Sequence, residues 1–586
     1  MRAAIGQGTG ASNDYPSRDA SDAYPELGET STSHTLTTPT VSRDLNNYYA
    51  NLCQQAIQRV FDEWPVPRPM TEEERNRHLV NTRERIVAIK DILARRGTLN
   101  EPNHRLERDL YVCRLDYNLR FPRIFPINDL PPEILGNILG RVISAQDNGT
   151  HGIKARSAIT GVCKQWRDIA IADGTMWSTI WFNDYPHFDR SLEYLRRAKN
   201  APLDIRISDT AEKVMEYDCI EVMAAPLLEK LASIRTLVVR LQNWDPLLVF
   251  WRRMHQYLAD NDNPTLSLER LEFHRTSLPV IEYGKAFDRR EYKIPRILLN
   301  NVYCPTLKHI ALGGFVCDWV ASKEVFKNLK FLDIRATPIP ECPTFSVFRS
   351  LLLDSPALTT LILDGAGSSY PQNIAQMTPT AVPTLRRLVF GRLNLTYAAF
   401  LLLLFSFPNL VELELLNLNG ADRGRFFETL ASRNLKSLRH LHIGNIQPDR
   451  AGNLDKFPRF LAAIPSVVYL TLGLLDPVFY RYLAYNARTL LPHEGDSDFR
   501  IETIIFPKLK VLDLISLRFI EDTARLISHR NEIGLPIRKI YISSFAAAAL
   551  TDQNSEQFRR ALPRNQTVWI LPAGVHSDER EKLDTL

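Results

Sequence analysis

At 586 residues and 45% apolar content, the chain is too long for one hydrophobic core, because single cores stop growing near ~250 to 300 residues, and two or three folded parts are expected. Its 72 basic against 67 acidic side chains leave a formal net charge of only +5. The two signs are interspersed, which argues against a nucleic-acid partner, and clusters such as Arg95-Arg96, Arg196-Arg197 and Arg289-Arg290 read as solvated faces. The cysteines (Cys53, Cys113, Cys163, Cys219, Cys304, Cys317, Cys342) are scattered, with no C-x-x-C and no Cys/His set at zinc spacing. Reduced intracellular thiols and no metal site follow as expectations. The most apolar run, Ala398 to Phe407, falls short of the ~20 residues a membrane span requires. No apolar segment follows the opening Met1-Arg2, so a soluble chain of the cytoplasm or nucleus, without membrane contact, is expected.

Residues 1–42 are dominated by Ser, Thr, Gly, Asp and Pro, with too few large apolar side chains to offset the entropy of ordering, and are expected to be disordered. Residues 43–122 read as a helical segment. Leu45, Tyr49, Leu52, Ala56 and Val60 recur at helical spacing up to Pro65 and Pro67. A second helix is expected to open at Thr71, with Glu74 completing a capping box, and to end near Gly97. Its seam of Leu79, Ile86, Ile89 and Leu93 covers barely two heptads and favours packing on a neighbouring helix over dimerisation.

Between residues 123 and 182 lies Ile127-Asn128-Asp129-Leu130-Pro131-Pro132-Glu133-Ile134-Leu135, continuing to Ile138-Leu139. A polar loop around Gln146 to Gly152 comes next, then Ile159, Val162-Cys163-Lys164-Gln165-Trp166 and Met176-Trp177. Pro131 and Pro132 suit the first turn of a helix, where a missing N–H is harmless, and Glu133 complements the positive helix N-terminus. Ile134, Leu135, Ile138 and Leu139 then form one apolar stripe, and Ile159, Val162, Trp166 and Ile169 repeat the logic.

This stretch resembles the F-box, a domain with the pattern L-P-x-E-[IL]-L-x-x-I-[FL], then V-C-[KR]-x-W, then L-W. The matching residues are Leu130-Pro131, Glu133, Leu135, Ile138-Leu139, Val162-Cys163-Lys164, Trp166 and Trp177, with Met176 in place of the usual leucine and a loop longer than usual. The resemblance implies docking onto a Skp-family adaptor through Leu130, Pro131, Ile134, Leu135, Ile138, Leu139, Val162 and Trp166. It leaves Cys163 and Trp177 to the core of the small domain.

Residues 183–570 repeat a phrase of the form L-x-x-L-x-L. It occurs at Ile234-Leu237-Val239, Leu268-Leu271-Phe273, Leu307-Ile310-Leu312, Leu329-Leu332-Ile334, Leu358-Leu361-Leu363 and Leu385-Leu388-Phe390. It continues at Leu410-Leu413-Leu415, Leu438-Leu441-Ile443, Val467-Leu470-Leu472, Leu509-Leu512-Leu514 and Ile537-Ile540-Ile542. The middle copies lie about 22 to 29 residues apart, the period of leucine-rich repeats. Each phrase predicts a short strand whose apolar residues point to one side, and each unit buries that side only by stacking on its neighbours. A proline often precedes the phrase, as at Pro305, Pro356, Pro383, Pro408, Pro465 and Pro507, where it ends the return segment. A regular asparagine ladder is absent, since Leu393, Leu418, Ile446, Leu475 and Leu517 occupy its place. The expected fold is mixed α/β: a helical module, an irregular leucine-rich-repeat solenoid of the right-handed α/β horseshoe type, and a tail at 571–586.

The layout is similar to the large F-box family of mushroom-forming fungi. That resemblance implies a non-catalytic subunit without a cofactor, joined through its adaptor to a cullin ubiquitin ligase and holding a protein substrate of unknown identity. An interaction scaffold acting independently of ubiquitination is the alternative. No P-loop, G-x-S-x-G, H-E-x-x-H or dinucleotide fingerprint is present, and His309 and His442 read as outward-facing strand residues, as do Lys308, Arg386, Glu412, Arg439 and Lys510.

Overall fold

The structure, a computed structural model, describes residues 48, 51–52, 54–55, 58, 71–97, 104–120, 124, 126–144, 149–210, 213–261, 264–276, 297–370, 379–420, 422–446, 456–475, 480, 483, 504–516, 520–548, 556, 558, 560 and 567–571. The expected disorder of residues 1–42 and most of the first expected helix lie outside the described residues. The chain divides into two compact units, Met1–Leu130 and Pro131–Leu586.

In the first unit, α1 (Glu72–Gly97) and α2 (His104–Arg120) pack on each other. The capping box forms: Thr71 N–H donates to Glu74 Oε2 at 3.0 Å and Glu74 N–H to Thr71 Oγ1 at 3.3 Å. The buried positions on α1 are Thr82 and Ile92, while Leu79, Ile86 and Ile89 are half-buried and Leu93 is exposed, so the expected seam is rotated by about one residue. Arg85 pairs with the buried Asp116 across the helices, and Arg96 with Glu107 at 2.7 Å.

The second unit opens with three helices, α3 (Pro132–Ser144), α4 (Gly149–Val162) and α5 (Lys164–Ala172). A long parallel sheet follows, its fourteen strands paired in chain order. They are β1 (Thr179–Phe182), β2 (Leu203–Ser208), β3 (Ile234–Leu241), β4 (Arg270–Arg275), β5 (His309–Gly313), β6 (Phe331–Arg335), β7 (Thr360–Asp364), β9 (Arg387–Gly391), β11 (Glu412–Leu416), β12 (His440–Gly444), β13 (Tyr469–Leu472), β14 (Val511–Leu514), β15 (Lys539–Ser543) and β16 (Thr567–Leu571). The short strands β8 (Thr380–Ala381) and β10 (Phe405–Ser406) pair separately, also in parallel.

Every L-x-x-L-x-L phrase supplies one strand of the large sheet. Its second apolar residue joins a single column that runs from Ile180 through Ile205, Leu237, Leu271, Ile310, Leu332, Leu361, Leu388, Leu413, Leu441, Leu470, Leu512 and Ile540 to Val568. Helices return over this face: Trp251, on the helix Trp244–Asp260, meets Phe273 of β4 edge-on at 5.3 Å. The prolines sit where a turn needs a fixed φ. Leu307 N–H donates to Cys304 O, Leu358 to Ser355 O and Leu509 to Phe506 O, each a four-residue turn with proline second.

A left-handed residue does the work expected of an asparagine ladder. Gly314, Ala336, Gly365, Arg392, Asn417 and Asn445 each follow a strand with φ between 47° and 63°. The N–H groups of the first five extend the ladder one step, as from Ala336 to Asp364 O at 2.7 Å and from Arg392 to Leu416 O at 2.9 Å. A glycine fits this position best, yet alanine and arginine also occupy it, so no single residue type marks it in the sequence.

Candidate docking surface and the polar face of the sheet

α3 begins where proline ends the preceding turn, with the Ile134 and Leu135 N–H groups both donating to Pro131 O at 3.0 Å. The single apolar stripe of the sequence divides into two. Leu135, Leu139 and Ile143, at i, i+4 and i+8, are buried, whereas Ile134 (48% exposed), Ile138 (37%) and Val142 (45%) form a parallel outer stripe one residue earlier. Leu135 and Leu139, expected among the adaptor-facing residues, are therefore core. Val142 is an outer residue the sequence pattern did not single out. Val162, at the end of α4, is 53% exposed, and Pro131 is exposed too. Trp166 on α5 is half-buried, as is Leu130, which lies in the first unit and donates its N–H to Ile127 O.

Trp177 is buried: 2% exposed, it donates from Nε1 to Ala170 O at 2.6 Å. Tyr194 meets its ring edge-on at 4.9 Å, and the Arg197 guanidinium lies 4.5 Å from its centroid. Cys163 is only half-buried, at the extended residue between α4 and α5. The buried Arg156 side chain on α4 ties the module to the strand that follows, donating to Met176 O at 2.7 Å and Thr179 O at 3.0 Å. Gly174 is required where its turn approaches α6 (Asp189–Ala198), because a Cβ there would stand 2.5 Å from Ala198 O. Part of the supposed long loop is helix, since α4 starts at Gly149.

The face of the sheet opposite the returning helices carries the residues between the apolar positions, and several of its charges are buried. Glu272 on β4, 2% exposed, accepts from Arg270 Nε at 2.6 Å, Arg240 at 3.0 Å and His274 at 3.1 Å, and His309 lies 3.3 Å away. Burial pushes its carboxyl up, but the bonds from His274, His309 and Arg270 and the arginine charge outweigh it and hold the pKa well below the usual carboxylate range. A second cluster joins Arg387 to Glu412 at 3.4 Å and to Glu414 at 2.6 Å. His440 lies 2.9 Å from Glu412 and 2.9 Å from Thr471, and His442 lies 3.0 Å from Glu414. For Glu412, too, burial is outweighed, here by the His440 bond and the His440 and Arg387 charges, and the pKa falls. Glu412 and His442 thus lie on this outward face as expected but are buried there, while Arg386, Arg439 and Lys510 are exposed and Lys308 and His309 half-buried. Among the described residues, no group of three or more His, Cys, Asp or Glu side chains could hold a metal, and no helix is long and apolar enough to cross a membrane.

A helical module bearing an exposed aliphatic stripe, followed by a parallel sheet, defines the class. Residues 127–183 match the family described as F-box-like, so the chain carries an F-box-like domain. No curated protein matches the chain.

Proposed function

We propose that this chain is an F-box substrate receptor, in which the helical module docks onto a Skp-family adaptor and, through it, a cullin ubiquitin ligase, while residues 183–570 hold the protein to be ubiquitinated. F-box domains typically bind such adaptors and are generally not catalytic themselves. The observation that carries the reading is the outer stripe of Ile134, Ile138 and Val142, with Val162 also exposed, inside the residues that match the F-box-like family. Burying an aliphatic side chain of this size contributes about 1.5 to 3 kcal/mol, so a small patch suffices for docking. On the second unit the contact set is accordingly Pro131, Ile134, Ile138, Val142, Val162 and Trp166, with Leu135, Leu139 and Trp177 supporting it from beneath.

The sheet reads as a leucine-rich-repeat solenoid, the α/β horseshoe expected from the phrase, supported by its nearest-neighbour strand order and the aligned leucine column. Its polar face is the natural recognition surface, and ligation is accelerated by proximity, the bound target being held near a conjugating enzyme supplied by other subunits.

The test is the affinity of the full chain for a purified Skp-family adaptor, measured by biolayer interferometry. The Ile134→Ala/Ile138→Ala variant is expected to bind at least tenfold more weakly with an unchanged melting temperature. Equal binding by variant and parent sinks the docking assignment. Adaptor capture without recovery of a cullin from the same complex favours a scaffold acting outside ubiquitination.

A further inference from the structure

At the start of the sheet's polar face, between the ends of α3 and α4 and strands β1 to β5, is a cavity of about 670 Å³. That volume is in the range of small-ligand sites. Five Arg and Lys residues line it against two carboxylates. Arg156 is committed to the backbone carbonyls of Met176 and Thr179, Arg235 forks onto Asp204 at 3.2 and 2.6 Å, and Arg270 is held by Glu272. Arg206 and Lys308 remain outside these pairs; Glu269 is the lining carboxylate not engaged by an arginine among the described residues, and the charges of Glu272 and Asp204 act on Arg206 without an ion pair.

Arg206 is the anomaly. Its guanidinium lies over the Trp181 ring, 5.0 Å from the centroid, half-buried and in no ion pair among the described residues. Burial, and then the charges of Arg270 and Arg240, hold its pKa below the usual arginine value. Half-desolvated charges are costly unless paired, and a cation kept in such a position, facing a polar cavity, is suited to an incoming anion. Among the described residues Lys308 Nζ donates to Pro305 O, at 2.9 Å, and brings a second positive charge to the same cavity.

We propose that this cavity is a binding site for a phosphoryl group, with Arg206 as its principal cation and Lys308 as its second. Two uncommitted positive charges match a phosphoryl dianion better than a single carboxylate, and a guanidinium can grip two of its oxygens at once. The aromatic floor of Trp181 fixes the Arg206 fork in place and lowers the entropy lost on binding. The phosphoryl group can arrive on a small molecule or on a phosphorylated side chain of the target. The second source deepens the recognition half of the reading above and rests on it.

Two binding experiments on the full chain at near-physiological ionic strength separate the sources: calorimetric titration with inorganic pyrophosphate, and fluorescence anisotropy with degenerate phosphoserine peptides beside their unphosphorylated counterparts. The expected result is saturable binding in at least one arm, weakened at least tenfold by Arg206→Gln and several-fold by Lys308→Gln, and unchanged by Arg386→Gln. Binding of pyrophosphate alone identifies a small-molecule ligand, and preference for phosphopeptide alone identifies a modified target. No saturable binding in either arm, or parental affinity in a folded Arg206→Gln protein, overturns the proposal. Adaptor affinity, measured on the same preparations, reports separately on the docking reading.

Discussion

The helical module and the sheet break the ordinary partition of side chains in opposite directions. On α3, aliphatic residues stand in solvent, at Ile134, Ile138 and Val142; on the sheet, carboxylates lie buried, at Glu272, Glu412 and Glu414. Both departures are costly in an isolated chain, and they are compensated differently. The buried carboxylates have their partners within the fold, in Arg240, Arg270, Arg387 and the neighbouring histidines. The aliphatic stripe is uncovered by the described residues. An internal network sets shape and polarity; an uncovered apolar stripe points to another molecule.

The largest effect that can test this contrast is beneath the stripe. Trp177→Ala removes a buried ring with its hydrogen bond and should cost about 3 to 5 kcal/mol in chemical denaturation, against less than about 0.5 kcal/mol for Ile134→Ala. Comparable losses would erase the distinction between inner and outer stripes. Next comes Glu272→Ala, which strands several cationic groups around one buried position and should cost about 3 kcal/mol. A loss as small as that of a surface salt bridge, under about 1 kcal/mol, would show that the cluster is effectively solvated. The smallest effect is with pH. Glu272 and Glu412 have folded pKa values below their unfolded values, near ~4.3. Their stabilisation is therefore complete above that value and lost as pH falls through the folded pKa. The melting temperature of the parent should drop on acidification below about pH 4 more steeply than that of Glu272→Gln. Parallel curves would remove Glu272 from the account of acid stability.

What the sequence made legible was local. The period-2 phrase, preceded by a proline in six copies, reported eleven strands, since each depends on a few adjacent residues. The capping box at Thr71 was readable for the same reason. The division of α3 into two stripes was not, because Leu135 and Ile134 are chemically alike and only the neighbours of the helix decide which is covered. The partners of Glu272 were equally hidden. Arg240 is 32 residues away in the chain and reaches Glu272 only through the parallel register of β3 with β4. β1, β2 and β16 have no full phrase: β1 reads Thr179-Ile180-Trp181-Phe182, β2 has Pro202 in place of the first apolar residue, and β16 carries a tryptophan and an isoleucine, both exposed.

The position of β1 has a mechanical consequence. Only Ser178 separates the turn that ends at Trp177 from the first strand, and β1 itself falls within the residues that match the F-box-like family. Module and sheet are consequently spliced through a shared element, whereas two domains on a short flexible linker explore a volume in which each sees the other at only about millimolar effective concentration. Under the proposed function, a cargo seated on this sheet would be aimed rather than merely tethered, so the geometry of the splice, as much as the affinity of either surface, would select which of its lysines come within range.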